Sequence, residues 1–134
     1  MRPKPSLVLA GLAVLLAAVP AVAHHSFAAE YDGTKPIKLT GTVTKFELTN
    51  PHSWIYIDVK DADGKVVNWG FETASVANLY RRGFRKDTVA PGSVVTIEGY
   101  LAKDGAHLAN ARNVTLGDGR KIFAGAAEDG GPTK

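Results

Sequence analysis

The stretch SWIYIDVKDADGKVVNWGFE, Ser53 to Glu72, decides how this chain folds. In its first half Ile55, Ile57 and Val59 fall on one face of an extended strand, and Trp54, Tyr56 and Asp58 fall on the other. Asp61-Ala62-Asp63-Gly64 then reads as a turn, since aspartate side chains bond nearby backbone amides and glycine takes positive φ at no steric cost. The chain returns over Val66 to Glu72 with Val67, Trp69 and Phe71 on one face. The expectation is a β-hairpin with one apolar side. The Asp-Ala-Asp-Gly run also looks like the start of a calcium loop, but it lacks the later ligands and the closing glutamate.

Upstream, Ile37 to Thr49 is a long strand that changes phase: Ile37, Leu39 and Val43 share one face, whereas Phe46 and Leu48 share the other. Such a switch near Gly41 predicts a bulge or a sharp bend. Downstream, Ser75 to Arg82 carries a Ser75 N-cap, apolar Val76, Leu79 and Tyr80 at helical spacing, and Gly83 at the C′ position before Phe84. After Pro91-Gly92, alternation returns in Val94 to Ala102, a Lys103-Asp104-Gly105 turn follows, His107 to Leu116 makes a fifth strand, and Lys121 to Ala124 adds a short sixth. The order β-β-β-α-β-β predicts a mainly β, five-stranded OB-type barrel over residues 37–124, with one short helix between strands three and four. A small open sandwich with the helix on one end is the alternative. Gly125 to Lys134, rich in small and polar residues, is expected to be a flexible tail.

The first segment has a different character. Arg2 and Lys4 precede an apolar run from Leu7 to Val19, and small residues stand at Ala21 and Ala23, which together read as a signal peptide over residues 1–23. The run is shorter than the roughly 20 residues a membrane span needs, so no span is expected after cleavage. Secretion or export to a periplasm is the expected destination. Cleavage after Ala23 would leave residues 24–36 as a segment that begins His24-His25; cleavage after Ala21 would leave Val22-Ala23-His24. The chain has no cysteine, so packing alone must hold it together. Its formal charge of +3 falls by two when Arg2 and Lys4 leave, which gives no indication of nucleic-acid binding.

Histidines dominate the candidate chemistry. A terminal histidine offers a metal both its amine, of pKa about 8, and its imidazole, of pKa about 6.5. In an OB-type barrel the binding surface is the outer face of strands two and three with the flanking loops. His52 lies in one of those loops, Thr49-Asn50-Pro51-His52, and shares parity with Trp54 and Tyr56, while His107 follows the other loop. The expected ligand set is therefore His24, His25 and His52, with His107 last, the two loops converging on one site. Nitrogen ligands suit copper(II), zinc or nickel, and copper and zinc are the candidate cofactors. A soft copper(I) site is not expected, since Met1, the sole methionine, leaves with the signal.

A second reading needs no metal. There the histidines seal the barrel mouth, and Trp54 and Tyr56 present a face to an envelope protein, a peptide or a glycan; the competing and favoured reading of that face is that the N-terminal segment covers it, with Phe27 and Tyr31 packing there. The basic cluster Arg81, Arg82, Arg85 and Lys86 surrounds the predicted helix C-terminus, where the helix dipole favours cations. Glu47, Asp58, Glu72 and Glu98 read as single carboxylates with no nucleophile or second carboxylate assigned to them, so a binding domain is expected rather than an enzyme. Asn113-Val114-Thr115 fits a glycosylation sequon, which acts only in a host with that machinery.

At His24-His25-Ser26-Phe27 and Thr49-Asn50-Pro51-His52-Ser53-Trp54 the chain resembles a family of small exported bacterial proteins, domain-of-unknown-function family 6152. The likeness continues through Asp61-Ala62-Asp63-Gly64-Lys65, Arg81-Arg82-Gly83, Pro91-Gly92 and Asn113-Val114-Thr115-Leu116. The resemblance implies a bacterial, periplasmic setting and lends no activity.

Overall fold

The computed structural model describes residues 26–126. The signal-like segment, His24, His25 and residues 127–134 lie outside the described residues.

One helical turn, α1 (Phe27–Glu30), leads into β1 (Tyr31–Glu47), a strand of 17 residues. β1 begins six positions before the apolar pattern predicts. Its opening residues pair irregularly with β4 (Val94–Ala102): Tyr31 lies opposite Ala102, the register shifts, and regular pairing starts at Pro36 opposite Tyr100. Asp32, Gly33, Thr34, Lys35 and Pro36 carry no strand pattern of their own, and their conformation is set by this partner.

β1 then changes partner. Thr42 pairs with both Val94 of β4 and Asp58 of β2 (Trp54–Lys60), and the register against β2 shifts between Val43 and Lys45. This irregularity is the predicted change of phase. It lets Ile37, Leu39 and Val43 on one side of it, and Phe46 and Leu48 on the other, all meet the same core. A Cβ on Gly41 would overlap the Asp58 carbonyl, so the bend depends on the missing side chain.

β2 and β3 (Val66–Glu72) form the expected hairpin, in register from Trp54 opposite Glu72 to Lys60 opposite Val66. Ile55, Ile57 and Phe71 are fully buried. β5 (Leu108–Thr115) and the short β6 (Lys121–Phe123) complete a six-stranded sheet in the order β3-β2-β1-β4-β5-β6. A parallel pairing of Gly70, Phe71 and Glu72 with Leu108, Ala109 and Asn110 joins β3 to β5, so the five longer strands make a partial ring. Ile97 and Val114 fill its interior, with Leu79, Phe84 and Val89 from the helical connection between β3 and β4. Gly125 and Ala126, which open the segment expected to fray, are buried, and the Gly125 carbonyl accepts a 2.5 Å hydrogen bond from Arg82 Nη1. No helix among the described residues is long and apolar enough to cross a membrane.

In β5, Val114 faces the core; continued alternation would put Arg112 there too. Instead Glu98 pairs with Asn113 and Gly99 with Ala111, leaving Arg112 as the extra residue of a bulge. Ala111 and Ala109 take the core positions beyond it.

The helix α2 (Val76–Arg81) ends as predicted. Gly83 adopts φ +99°, its amide donates to Tyr80 O, and the Phe84 amide donates to Leu79 O, which is the paired bonding of a Schellman stop. Its start differs: Ser75 makes no side-chain cap, and Asn50 Oδ1 accepts from the Val76 amide at 3.1 Å. The cap comes from the Asn-Pro-His loop, 26 residues away in sequence. Asn50→Ala is expected to cost about 1 kcal/mol, measured by urea unfolding, whereas Ser75→Ala should be close to neutral.

Candidate functional site

The loop between β1 and β2 is held by its own hydroxyls. Thr49 Oγ1 donates to His52 O at 2.7 Å, and the buried Ser53 Oγ donates to Thr49 O and accepts from the Thr49 amide. Across the gap, the Thr73 amide and Oγ1 both donate to Ser53 O, and the Ser53 amide donates to Ala74 O. The Asn50–Pro51 peptide is cis. These bonds fix the loop against the end of β3 and bring His52 beside Glu72 and Thr73.

His52 Nδ1 lies 3.1 Å from Thr73 O and 3.3 Å from Glu72 Oε1. A carbonyl oxygen can only accept, so Nδ1 carries the proton and Nε2 of the neutral ring carries the lone pair. Glu72 is 8 % exposed, and its other oxygen, Oε2, accepts a short hydrogen bond from the Tyr31 hydroxyl. Tyr31 on β1, Glu72 on β3 and the His52 loop are thus joined through one buried carboxylate. The His52 side chain stays 27 % exposed, which leaves it within reach of solvent and solutes.

A cleft of about 420 Å³ opens on the Tyr31 side of this group, lined by Glu30, Tyr31, Trp54, Glu72, Lys103 and Leu108 among others. Trp54 lies opposite Glu72 across the hairpin and stacks on Tyr56, ring centroids 6.2 Å apart. Lys45 stands 5.9 Å from the Tyr56 ring centre and pairs with Glu47, whose carboxyl it holds below the usual range. Burial, then the Glu47 charge, raises the Tyr56 hydroxyl above the ordinary tyrosine range.

The expected aromatic cover forms only in part. Tyr31 shares the cleft with Trp54, but Phe27 packs elsewhere: it stacks on Tyr31 at 5.8 Å and meets Tyr100 edge-on at 5.7 Å. The basic residues around α2 mostly serve the helix end: Arg85 Nη1 donates to the Tyr80 and Phe84 carbonyls, and Arg81 Nη1 donates to Asn78 Oδ1.

The predicted meeting of His52 and His107 does not occur. The His107 ring packs on Trp69 at 5.0 Å, and Trp69 shares the parity of core residue Phe71, opposite to that of Glu72. Trp69 is also three residues from Glu72, roughly 10 Å along the strand. The two histidines therefore occupy opposite faces of β3. Among the described residues no three His, Cys, Asp or Glu side chains are placed to hold a metal ion together, and His24 and His25 lie outside those residues. Glu72 is the functional candidate that sequence reading passed over. Its signal was its register opposite Trp54, at the end of β3 facing the Asn-Pro-His loop.

A mainly β domain with a histidine seated on a buried carboxylate is the class of protein that these features define. The chain belongs to a family of unknown function, DUF6152, whose model matches residues 12–111. No curated protein matches it.

Proposed function

We propose that this protein is an exported, periplasmic binding domain of the OB type, without catalytic activity of its own, that holds a divalent copper or zinc ion through His24, His25 and His52. The observation that carries the reading is the placement of His52 Nδ1 against Thr73 O and Glu72 Oε1. With Nδ1–H given to Thr73 O and Glu72, the ring presents Nε2 as a ligand, and ligating histidines characteristically donate their other nitrogen to a carbonyl or carboxylate in this way.

Chain connectivity adds support. Ser26, the first described residue, directly follows His25, and α1 takes up most of the chain from there to Tyr31. His24 precedes Tyr31 by seven positions in sequence, and Tyr31 shares Glu72 with His52. A partial ring of five strands with the helix between the third and fourth agrees with an OB-type barrel, whose loop between the first two strands borders its usual ligand surface.

Calorimetric titration of protein beginning at His24 with copper(II) and zinc(II) tests the reading. His52→Ala, or one extra residue before His24, is expected to weaken binding at least tenfold. Equal affinity in all three proteins would refute it.

The stacked Trp54–Tyr56 pair beside the cleft favours one other reading, a peptide- or glycan-binding module without metal. Binding of a soluble peptide or glycan that Trp54→Ala abolishes and chelators leave unchanged would establish that alternative.

A further inference from the structure

A second cleft, of about 510 Å³, lies on the outer face where β1, β4, β5 and β6 meet; Lys38, Glu98, Tyr100, Arg112, Asn113 and Phe123 are among its lining. Arg112 is 7 % exposed, and its Nε, Nη1 and Nη2 are buried with no hydrogen-bond partner among the described residues. Its guanidinium carbon stands 5.4 Å from the Phe27 ring centre and 5.7 Å from that of Tyr100. Those rings meet the flat faces or edges of the cation but accept no hydrogen bonds in its plane. A guanidinium stays charged at any pH a protein survives, and it has five N–H donors to satisfy.

The backbone is shaped to put Arg112 there. The bulge takes it out of the core alternation and turns it onto the face that carries Tyr100. The bulge in turn requires Gly99, where a Cβ would overlap the Asn110 carbonyl. Glu98, the one carboxylate in the lining, is engaged: Lys121 bonds it at 2.6 Å and Lys38 approaches it at 3.4 Å. The Lys121 bond, then that from Lys38, holds its carboxyl below the ordinary range.

We propose that this cleft binds a small carboxylate with a flat apolar body, its carboxylate paired with the Arg112 guanidinium and its body against Tyr100 and Phe123. Guanidinium and carboxylate match as two parallel hydrogen bonds, and the cleft has the size usual for a small-molecule site. The proposal is independent of the metal reading, since it concerns a different cleft and uses no histidine.

The test titrates the processed protein with sodium benzoate, following backbone amide shifts by NMR, with benzamide and inorganic phosphate in parallel. The expected result is saturable binding of benzoate with Kd on the order of 1 mM, shifts centred on Tyr100, Arg112 and Asn113, and at least tenfold weaker binding of benzamide and phosphate. Arg112→Met should abolish benzoate binding and leave the fold intact by circular dichroism. Should Arg112→Met fail to fold, Asn113→Trp, which fills the cleft from its rim, should abolish binding in its place. Absence of saturable benzoate binding, binding that survives the substitution that folds, or phosphate binding as tight as benzoate would each overturn the proposal.

Discussion

Gly99→Ala will lower the stability of the domain by roughly 3 kcal/mol or more, with a melting temperature roughly 12–25 °C below the parent in a calorimetric scan. The added carbon would overlap Asn110 O and lie 2.9 Å from Asn110 C and 3.2 Å from Ala111 Cα. All of these are backbone atoms of the paired strand, so no rotamer change relieves the overlap. β4 and β5 must separate at the point where the bulge places Arg112, and the pairs from Tyr100–Asn110 onward lose their register. Gly64→Ala is the useful contrast. Gly64 has φ +80° and nothing within 4 Å of an added Cβ, so only the backbone penalty applies, about 1 kcal/mol. A Gly99→Ala protein that melts within about 4 °C of the parent would show that the strands do not approach as described.

Glu72→Ala is expected to act on stability and on metal affinity together. It removes the acceptor of the Tyr31 hydroxyl, which is buried, and one of the two oxygens facing His52 Nδ1. A buried donor without its acceptor costs about 1–3 kcal/mol, so urea unfolding should show a loss of about 2–4 kcal/mol once the His52 contact is included. Metal affinity of protein starting at His24 should fall about 10- to 100-fold, the effect of losing the carboxylate behind a ligating histidine. Glu72→Gln separates the two consequences: its amide oxygen still accepts from Tyr31, so stability should recover more than affinity does. Unchanged copper and zinc affinity in both variants would remove Glu72 from any role in metal binding.

The parts of the fold governed by local pattern could be read before the structure. The hairpin Trp54–Glu72, the Gly83 helix stop and the phase change of β1 each follow from residues near in sequence, and each is observed. What local pattern could not supply is partnership. The first six residues of β1 are strand because β4 lies beside them, and the helix start is capped by Asn50 because the ring brings that loop to it. The same limit applies to the site. His52 was visible as a histidine in a loop beside the aromatic face, but its tautomer depends on Thr73 O and Glu72, which belong to another strand end. The place of His107 depends on packing against Trp69 of another strand, for which alternation within its own strand gives no information. Arg112 carried no signal at all, since a bulge is a mismatch between two strands and neither strand alone reveals it.

The parallel joint between β3 and β5 is only three residue pairs long, while every other contact in the ring is an antiparallel pairing, most of them longer. Its halves come from two hairpins that can each zip independently, whereas the joint must bring together residues 38 positions apart, Gly70 and Leu108. With three pairs it holds by the fewest ladder bonds of any contact in the ring, so it is the place where the ring opens at least cost. Glu72 sits in that joint, so any ion or solute that engages the carboxylate in its closed position also acts as a clasp, tightening the whole ring by mass action.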